Sequence, residues 1–171
     1  MIRERFHWMG RTIESVWIDP PTMPPKGLTT DVSAVCVTEA GGIVLASAPN
    51  GRWAMPGGPP RGDESFDQTA AREAWDQARA AAADWGYLGA QQIIDPGNPS
   101  GPPETYRARY WLRVRLKPFQ PLRPGQRRLM ATFDGFLAAL AWDNTLMAAT
   151  VLEAAREMER IYRETMDATK G

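Results

Sequence analysis

The sequence predicts an α/β fold, and three stretches carry that prediction. Two apolar runs rich in β-branched residues flank "EAGG" between residues 31 and 48, a helical pattern opens near Ser65 behind a glycine- and proline-rich loop, and residues 105–116 alternate with a period of two.

Taken in chain order, "RTIESVWI" (11–18) reads as a first strand and "DPPTMPPKG" (19–27) as a connector, because proline lacks the amide donor that a helix or a central strand requires. "DVSAVCVT" and "GIVLASA" read as hairpin strands over 31–38 and 42–48, joined by glycines that suit a tight reversal. "PNGRWAMPGGPPRGD" is loop by its proline and glycine content, and a helix is expected from Ser65 to Ala83, with Ser65 and Gln68 at capping-box spacing. "YLGAQQIID" reads as a strand and "DPGNPSGPP" as an irregular loop. In "TYRARYWLRVRL", Tyr106, Ala108, Tyr110, Leu112, Val114 and Leu116 share one face, leaving Thr105, Arg107, Arg109, Trp111, Arg113 and Arg115 on the other. "RRLMAT" suits a short strand and "FDGFLAALA" a short helix. A long amphipathic helix is expected over 145–166, with an apolar stripe through Met147, Val151, Ala155, Met158 and Tyr162. The expected organisation is an N-terminal strand and proline-rich arm over 1–29, a central domain over 30–143, and a C-terminal helix over 144–171 packed on the domain or in a homodimer.

Composition narrows the function. Basic and acidic residues both number 20, so no global field favours nucleic acid or a membrane surface. Cys36 is the only cysteine and His7 the only histidine, which excludes an intrachain disulfide and a Cys/His zinc cluster. Cys36, within "DVSAVCVT", reads as a small core residue. The opening residues lack an apolar signal core, so a cytoplasmic location with no membrane segment is expected. Of the tryptophans, Trp53 is expected under the loop, Trp75 against the sheet and Trp142 beside the terminal helix.

On a helical wheel Glu73, Asp76 and Gln77 fall together at i, i+3 and i+4, and a stripe that includes Ala71, Ala74, Trp75 and Ala78 falls opposite. Oxygens clustered on one helical turn suit a hard divalent cation, which takes a few carboxylates and completes its shell with water and phosphate. The same spacing also suits a solvated helix face. Ahead of the helix, Gly57 and Gly58 give a loop the freedom to approach phosphate or metal closely.

These residues resemble the signature of the Nudix hydrolase family, which runs Gly, five residues, Glu, seven residues, Arg-Glu, an aliphatic residue, any residue, Glu-Glu, any residue, Gly, aliphatic. Gly58, Glu64 and Arg72-Glu73-Ala74 keep that spacing, and "RWAMPGG" is similar to the family's approach to its box. Asp76 and Gln77 replace the paired glutamates, and Arg79 replaces the closing glycine, so the helix is expected to run on through "ARAAAA". The resemblance implies an α/β/α sandwich around a mixed sheet with a loop-helix-loop site. It implies hydrolysis, dependent on Mg2+ or Mn2+, of a diphosphate bond in a small, nucleotide-linked substrate. On the family's pattern Glu73, Arg72 and Glu64 are the catalytic set, Glu73, Asp76 and Gln77 the metal positions, and Gly57 and Gly58 line the substrate. A further acid from a later segment would have to be Glu104, Asp134 or Asp95.

Residues 105–133 contain no acid and eight basic side chains. Arg109 and its neighbours on the strand can form a phosphate platform with Trp111 free to stack on a base, or a solvated face paired with acids elsewhere. Three functions stay open: a Nudix-type pyrophosphohydrolase weakened by its altered box, a nucleotide- or metabolite-binding module without turnover, and an oligomeric interaction protein.

Overall fold

A computed structural model of the chain describes residues 1–140, 142 and 145–170. The strands are β1 (Arg3–Trp8), β2 (Arg11–Ile18), β3 (Thr29–Thr38), β4 (Ile43–Ser47), β5 (Trp53–Ala54), β6 (Gly57–Gly58), β7 (Ala80–Ile94), β8 (Glu104–Leu116) and β9 (Arg128–Ala131), and the helices are α1 (Phe66–Ala78), α2 (Phe136–Ala139) and α3 (Thr145–Lys170). The strands form one sheet in the order β1-β2-β7-β8-β3-β4-β5, with β6 added to β3 and β9 to β4. Pairing of β3 with β8 is parallel and the rest is antiparallel, which makes the sheet mixed, as expected. The boundary expected between residues 143 and 144 lies outside the described residues. Among those residues no helix is long and apolar enough to cross a membrane.

Alternation along the strands divides the core in two. Val32, Ala34, Cys36 and Val44, with Ala108, Tyr110, Leu112 and Val114, pack under Phe66, Ala70, Ala74 and Ala78 of α1. Val35, Val37, Ile43, Leu45 and Trp111 face the other way, under α2 and α3. Small residues let α1 lie close to the sheet, and α3 covers the opposite face with Met147, Val151 and Ala155. The expected α/β/α layering follows. Cys36 is fully buried, and burial pushes its thiol up to about 12, which leaves it an inert core side chain.

Three expectations need correction. Helix α1 stops at Ala78 instead of continuing to Ala83, because Arg79 adopts a left-handed conformation (φ 52°) and its amide bonds the Trp75 carbonyl at 2.9 Å. Ala80, Ala81 and Ala82 then pair with Leu116, Arg115 and Val114 of β8, so a ladder partner overrides the helix preference of alanine. Arg128 donates to the freed Ala78 carbonyl at 2.9 Å and places a cation at the negative end of the helix. Trp75 is 40% exposed beneath the Arg79 guanidinium, not packed on the sheet. The first strand is not "RTIESVWI" but the polar-looking "RERFHW", turned back onto β2 by Met9 and Gly10, both at positive φ.

The expected basic face of β8 exists, but most of it is covered. Trp111 is 1% exposed and donates its indole N–H to Glu159 of α3 at 2.9 Å. Arg113 pairs with the same carboxylate and donates to the Thr38 carbonyl at 2.7 Å. A long helix needs a sheet face to bury its stripe, and the central part of β8 supplies it, so Trp111 is not available to stack on a ligand.

Glu159 thus satisfies two groups under α3. Glu159→Ala, which leaves Arg113 buried without its partner, should destabilise the fold by about 3–5 kcal/mol. Glu159→Gln should cost less, since its amide oxygen still accepts from Trp111. Urea unfolding midpoints of the two variants check the order.

Candidate active site

The glycine loop is held by sterics on two sides. A Cβ on Gly57 would stand 2.5 Å from the Ser33 Cβ and 2.8 Å from the Val32 carbonyl, and one on Gly58 would stand 2.8 Å from Glu73 Oε1. Gly57 therefore admits no side chain against β3, and one at Gly58 would have to displace the Glu73 carboxylate. Downstream, the Ser65 amide donates to Gln68 Oε1 at 3.0 Å, closing the capping-box contact that starts α1.

Arg72 joins the loop to the helix. Its Nε and Nη2 donate to the two oxygens of Glu64 at 2.7 and 3.0 Å, its Nη1 donates to Glu73 Oε1 at 2.6 Å, and Asp76 lies 3.9 Å away. Glu64 also accepts from the Arg61 amide and the Thr69 hydroxyl. The Arg72 guanidinium, helped by those donors, holds the Glu64 carboxyl down at about 2. Glu73 is 7% exposed, so it is not the exposed helix position that the wheel suggests.

Gln77 closes this arrangement. Its Nε2 donates to the Gly57 carbonyl at 2.7 Å and to Glu73 Oε2, and its Oε1 accepts from the Gly57 amide at 3.3 Å. This pair of hydrogen bonds to the N–H and C=O of one residue fixes the orientation of the amide, because a flipped group would set donor against donor at the Gly57 N–H.

Gly57 and Gln77 line a cleft of about 620 Å³ together with Asp31, Arg107, Arg109 and Arg123. Arg109 is 4% exposed, bonded to Gln91 at 2.8 Å, Asp31 at 3.1 Å and Ser33, with the Trp142 ring 4.7 Å from its guanidinium. Burial pushes it down to about 10, so it stays charged at neutral pH. Arg107 and Arg123 are exposed. The 117–127 segment that carries Arg123 is tied down by Gln126, which accepts from the Leu122 amide at 2.7 Å and donates to the Gln77 carbonyl at 3.3 Å. The open end of β8 thus faces the glycine loop, while its middle lies under α3.

The three acids considered as extra ligands are engaged elsewhere. Asp95 holds Arg11 through two bonds of 3.0 Å, Glu104 accepts from Tyr106 and Gln92, and Asp134 pairs with Arg156 at the surface. Among the described residues no three His, Cys, Asp or Glu side chains are grouped to hold a metal. Glu73 and Asp76 supply two carboxylates, and the third position is a neutral amide whose nitrogen sits against Glu73. This donor set suits a cation shared with a phosphate ligand, which requires only one or two carboxylates, and does not suit one held by the protein alone.

The sandwich thus carries a glycine loop and one end of α1 beside a cleft lined by three arginines. A family model described as NUDIX domain matches residues 27–140, and the chain belongs to that family. No curated protein sequence matches the chain. Among solved structures, the pyrophosphohydrolase BsRppH of Bacillus subtilis aligns with a TM-score of 0.66 at 15% identity, covering 91% of this chain and 97% of that one. The NUDIX domain of Shewanella oneidensis NrtR, complexed with ADP ribose, aligns at 0.58 and 20% identity over 82% and 92% of the two chains. A MutT protein from Bacillus halodurans aligns at 0.56 and 19% identity over 71% and 80%.

The structure brings Gly57, Gly58, Glu64, Arg72, Glu73, Asp76 and Gln77 together, adds Arg109, and sends Trp111 to the core. Sequence reasoning missed Asp31 and Ser33, which meet Arg107 and Arg109 through the β3–β8 register, and it placed Trp142 only beside α3. The alternation of β3 showed which way its side chains point, but not what they point at.

Because the folded Glu64 carboxyl lies below its ordinary value of 4.5, the stability it confers is fully present above that pH and is lost as pH falls towards about 2. Glu64→Gln should therefore be less stable at pH 7 and show a flatter acid limb between those values, as measured by circular dichroism against pH.

Proposed function

We propose that the chain is a Nudix-type pyrophosphohydrolase acting on a diphosphate-linked, nucleoside-bearing small molecule, with its divalent cation entering together with the substrate. The observation that carries this reading is the shared wall of the cleft, where the glycine loop and Gln77 face three arginines across a space large enough for a diphosphate and part of its substituents. The likeness in fold to a pyrophosphohydrolase and to a domain complexed with ADP ribose supports the same ligand class.

Each side chain has a separable task. Arg107 and Arg123 bind phosphate oxygens, with Arg109 held by Asp31 and Gln91 as a fixed positive charge behind them. Arg72 sets the direction of Glu73 and ties it to the loop through Glu64. Glu73 and Asp76 would hold the cation, which supplies charge neutralisation and an acidified water when bound. Gln77 must release Glu73 Oε2 for that to happen. Releasing it breaks a hydrogen bond to a carboxylate, worth about 1.5–3 kcal/mol, which a charged substrate can offset.

A second reading, a binding module without turnover, is favoured by that same amide, which occupies the approach to Glu73. Calorimetry and a phosphate-release screen over nucleoside diphosphate derivatives with Mg2+ and Mn2+ separate the two. On the hydrolase reading the free protein binds Mg2+ weakly and cleavage requires the cation. Gln77→Glu should raise Mg2+ affinity by about tenfold or more, since one unit charge about 4 Å from another contributes about 4 kcal/mol at a surface-like dielectric. Unchanged affinity would remove Gln77 from the metal's surroundings. Glu73→Gln should abolish cleavage and, because Glu73 is buried against Arg72, also lower the unfolding midpoint. Cleavage that survives Glu73→Gln would overturn the assignment, and binding without cleavage in the wild type would leave the second reading.

A further inference from the structure

Behind the arginines lies a second cavity of about 500 Å³ that shares Thr30, Arg107, Arg109 and Trp142 with the first. The two spaces meet at that seam, and their chemistry differs. The first carries Arg107, Arg109 and Arg123 against a single acid, Asp31. The second is walled by Phe6 and Trp8 of β1 and floored by Ile13 and Ile93. Its additional arginine, Arg11, is gripped by Asp95 through two bonds of 3.0 Å, so that charge is already matched. Asn98 at the rim is engaged with its own loop, donating to the Pro102 carbonyl at 2.9 Å and accepting from the Ser100 amide at 3.1 Å. What remains for a ligand is ring and aliphatic surface, with Arg107 at the seam.

Trp8 is 49% exposed although it faces a cavity, and the β1–β2 register places Phe6 opposite Ile13 and Trp8 opposite Arg11. Glu4, on the same face of β1, accepts from the Leu146 and Met147 amides at 3.3 and 3.2 Å and so pins the hairpin to the start of α3. The wall is thereby held in place. Phe6, Trp8, Arg11, Ile13 and Trp142 lie outside residues 27–140, so the aromatic wall of this cavity comes from parts of the chain that the family model does not match, while Ile93, Asn98 and Arg107 come from within it.

We propose that this chamber binds the planar heterocycle of a nucleoside, stacked on Trp8 and Trp142, with the attached phosphates lying across the seam on Arg107 and in the first cleft. The assignment rests on the cleft reading above and adds the part of the ligand that the hairpin selects. Stacking needs an apolar slot lined by aromatic rings, while a diphosphate needs cations, and the seam joins one of each. With Asn98 engaged, recognition rests on ring stacking rather than on hydrogen bonds to one base.

The test compares two ligands that cannot be cleaved, α,β-methylene-ADP and methylenediphosphonate, by calorimetry in magnesium buffer. In the wild type the nucleotide should bind about tenfold or more tightly than the bare diphosphonate, because a stacked base adds to the phosphate contacts. Trp8→Ala should reduce that ratio by about fivefold or more and leave methylenediphosphonate affinity unchanged, while Trp8→Phe keeps most of it. Trp8 lies half-exposed on an edge strand, so the variants should fold, as checked by circular dichroism. A ratio near one in the wild type, or the same ratio in Trp8→Ala, would overturn the chamber and leave the cleft standing. Loss of both ligands' binding would overturn both readings. Nucleotide binding that depends on Trp8 without any binding of methylenediphosphonate would support the chamber and count against the phosphate cleft.

Discussion

The parallel pairing of β3 with β8 is the constraint on which the site depends. One edge of β3 sets Ser33 beside Arg109 and Asp31 beside Arg107, and its other edge receives the two glycines of β6. Parallel neighbours cannot be joined by a tight turn, so the chain must make a long crossover between them. Here that crossover contains the hairpin, the glycine loop, α1 and β7. The acidic helix and the basic strand are therefore brought together by the same topological requirement that builds the sheet.

Charge is then divided by what covers it. The chain is neutral overall, and the acid-free stretch of β8 finds its counter-charges on other elements: Glu159 under α3, Asp31 on the neighbouring strand. Under α3 a carboxylate answers Arg113 and Trp111 together, and that part of the strand serves stability. Beyond the reach of α3 the strand borders the cleft, with Arg107 exposed and Arg109 buried against Asp31. A single alternating pattern thus meets two environments, separated only by where a helix lies.

Around α1 the same economy holds acids in place. Arg72 satisfies Glu64 and one oxygen of Glu73, and Gln77 satisfies the other oxygen together with a loop peptide. A glutamate at 77 would repel Glu73 unless a cation stood between them. The amide instead attracts it and ties the loop to the helix. The difference between a neutral and a charged side chain at this one position thus decides whether Glu73 is held or repelled.

Local chemistry made much of this legible in the sequence. The 105–116 alternation, the hairpin, the capping pair Ser65 and Gln68, the long terminal helix and the spacing of Gly58, Glu64, Arg72 and Glu73 all depend on neighbours within a few residues, and they stand as read. The end of α1 at Ala78 was not legible, because Ala80–Ala82 are good helix formers that become strand only when Val114–Leu116 offer a ladder. Nor was the strand at Arg3–Trp8, whose polar residues gain an edge from β2. Sequence by itself determined which residues share a face of each strand, since side-chain period is a property of the backbone, whereas on α1 it misplaced Trp75, which is exposed, and Glu73, which is buried. Only the tertiary structure decided which faces α3 would cover, which would meet across the parallel pairing, and which would remain open as a cleft, because those depend on contacts between segments far apart in the chain.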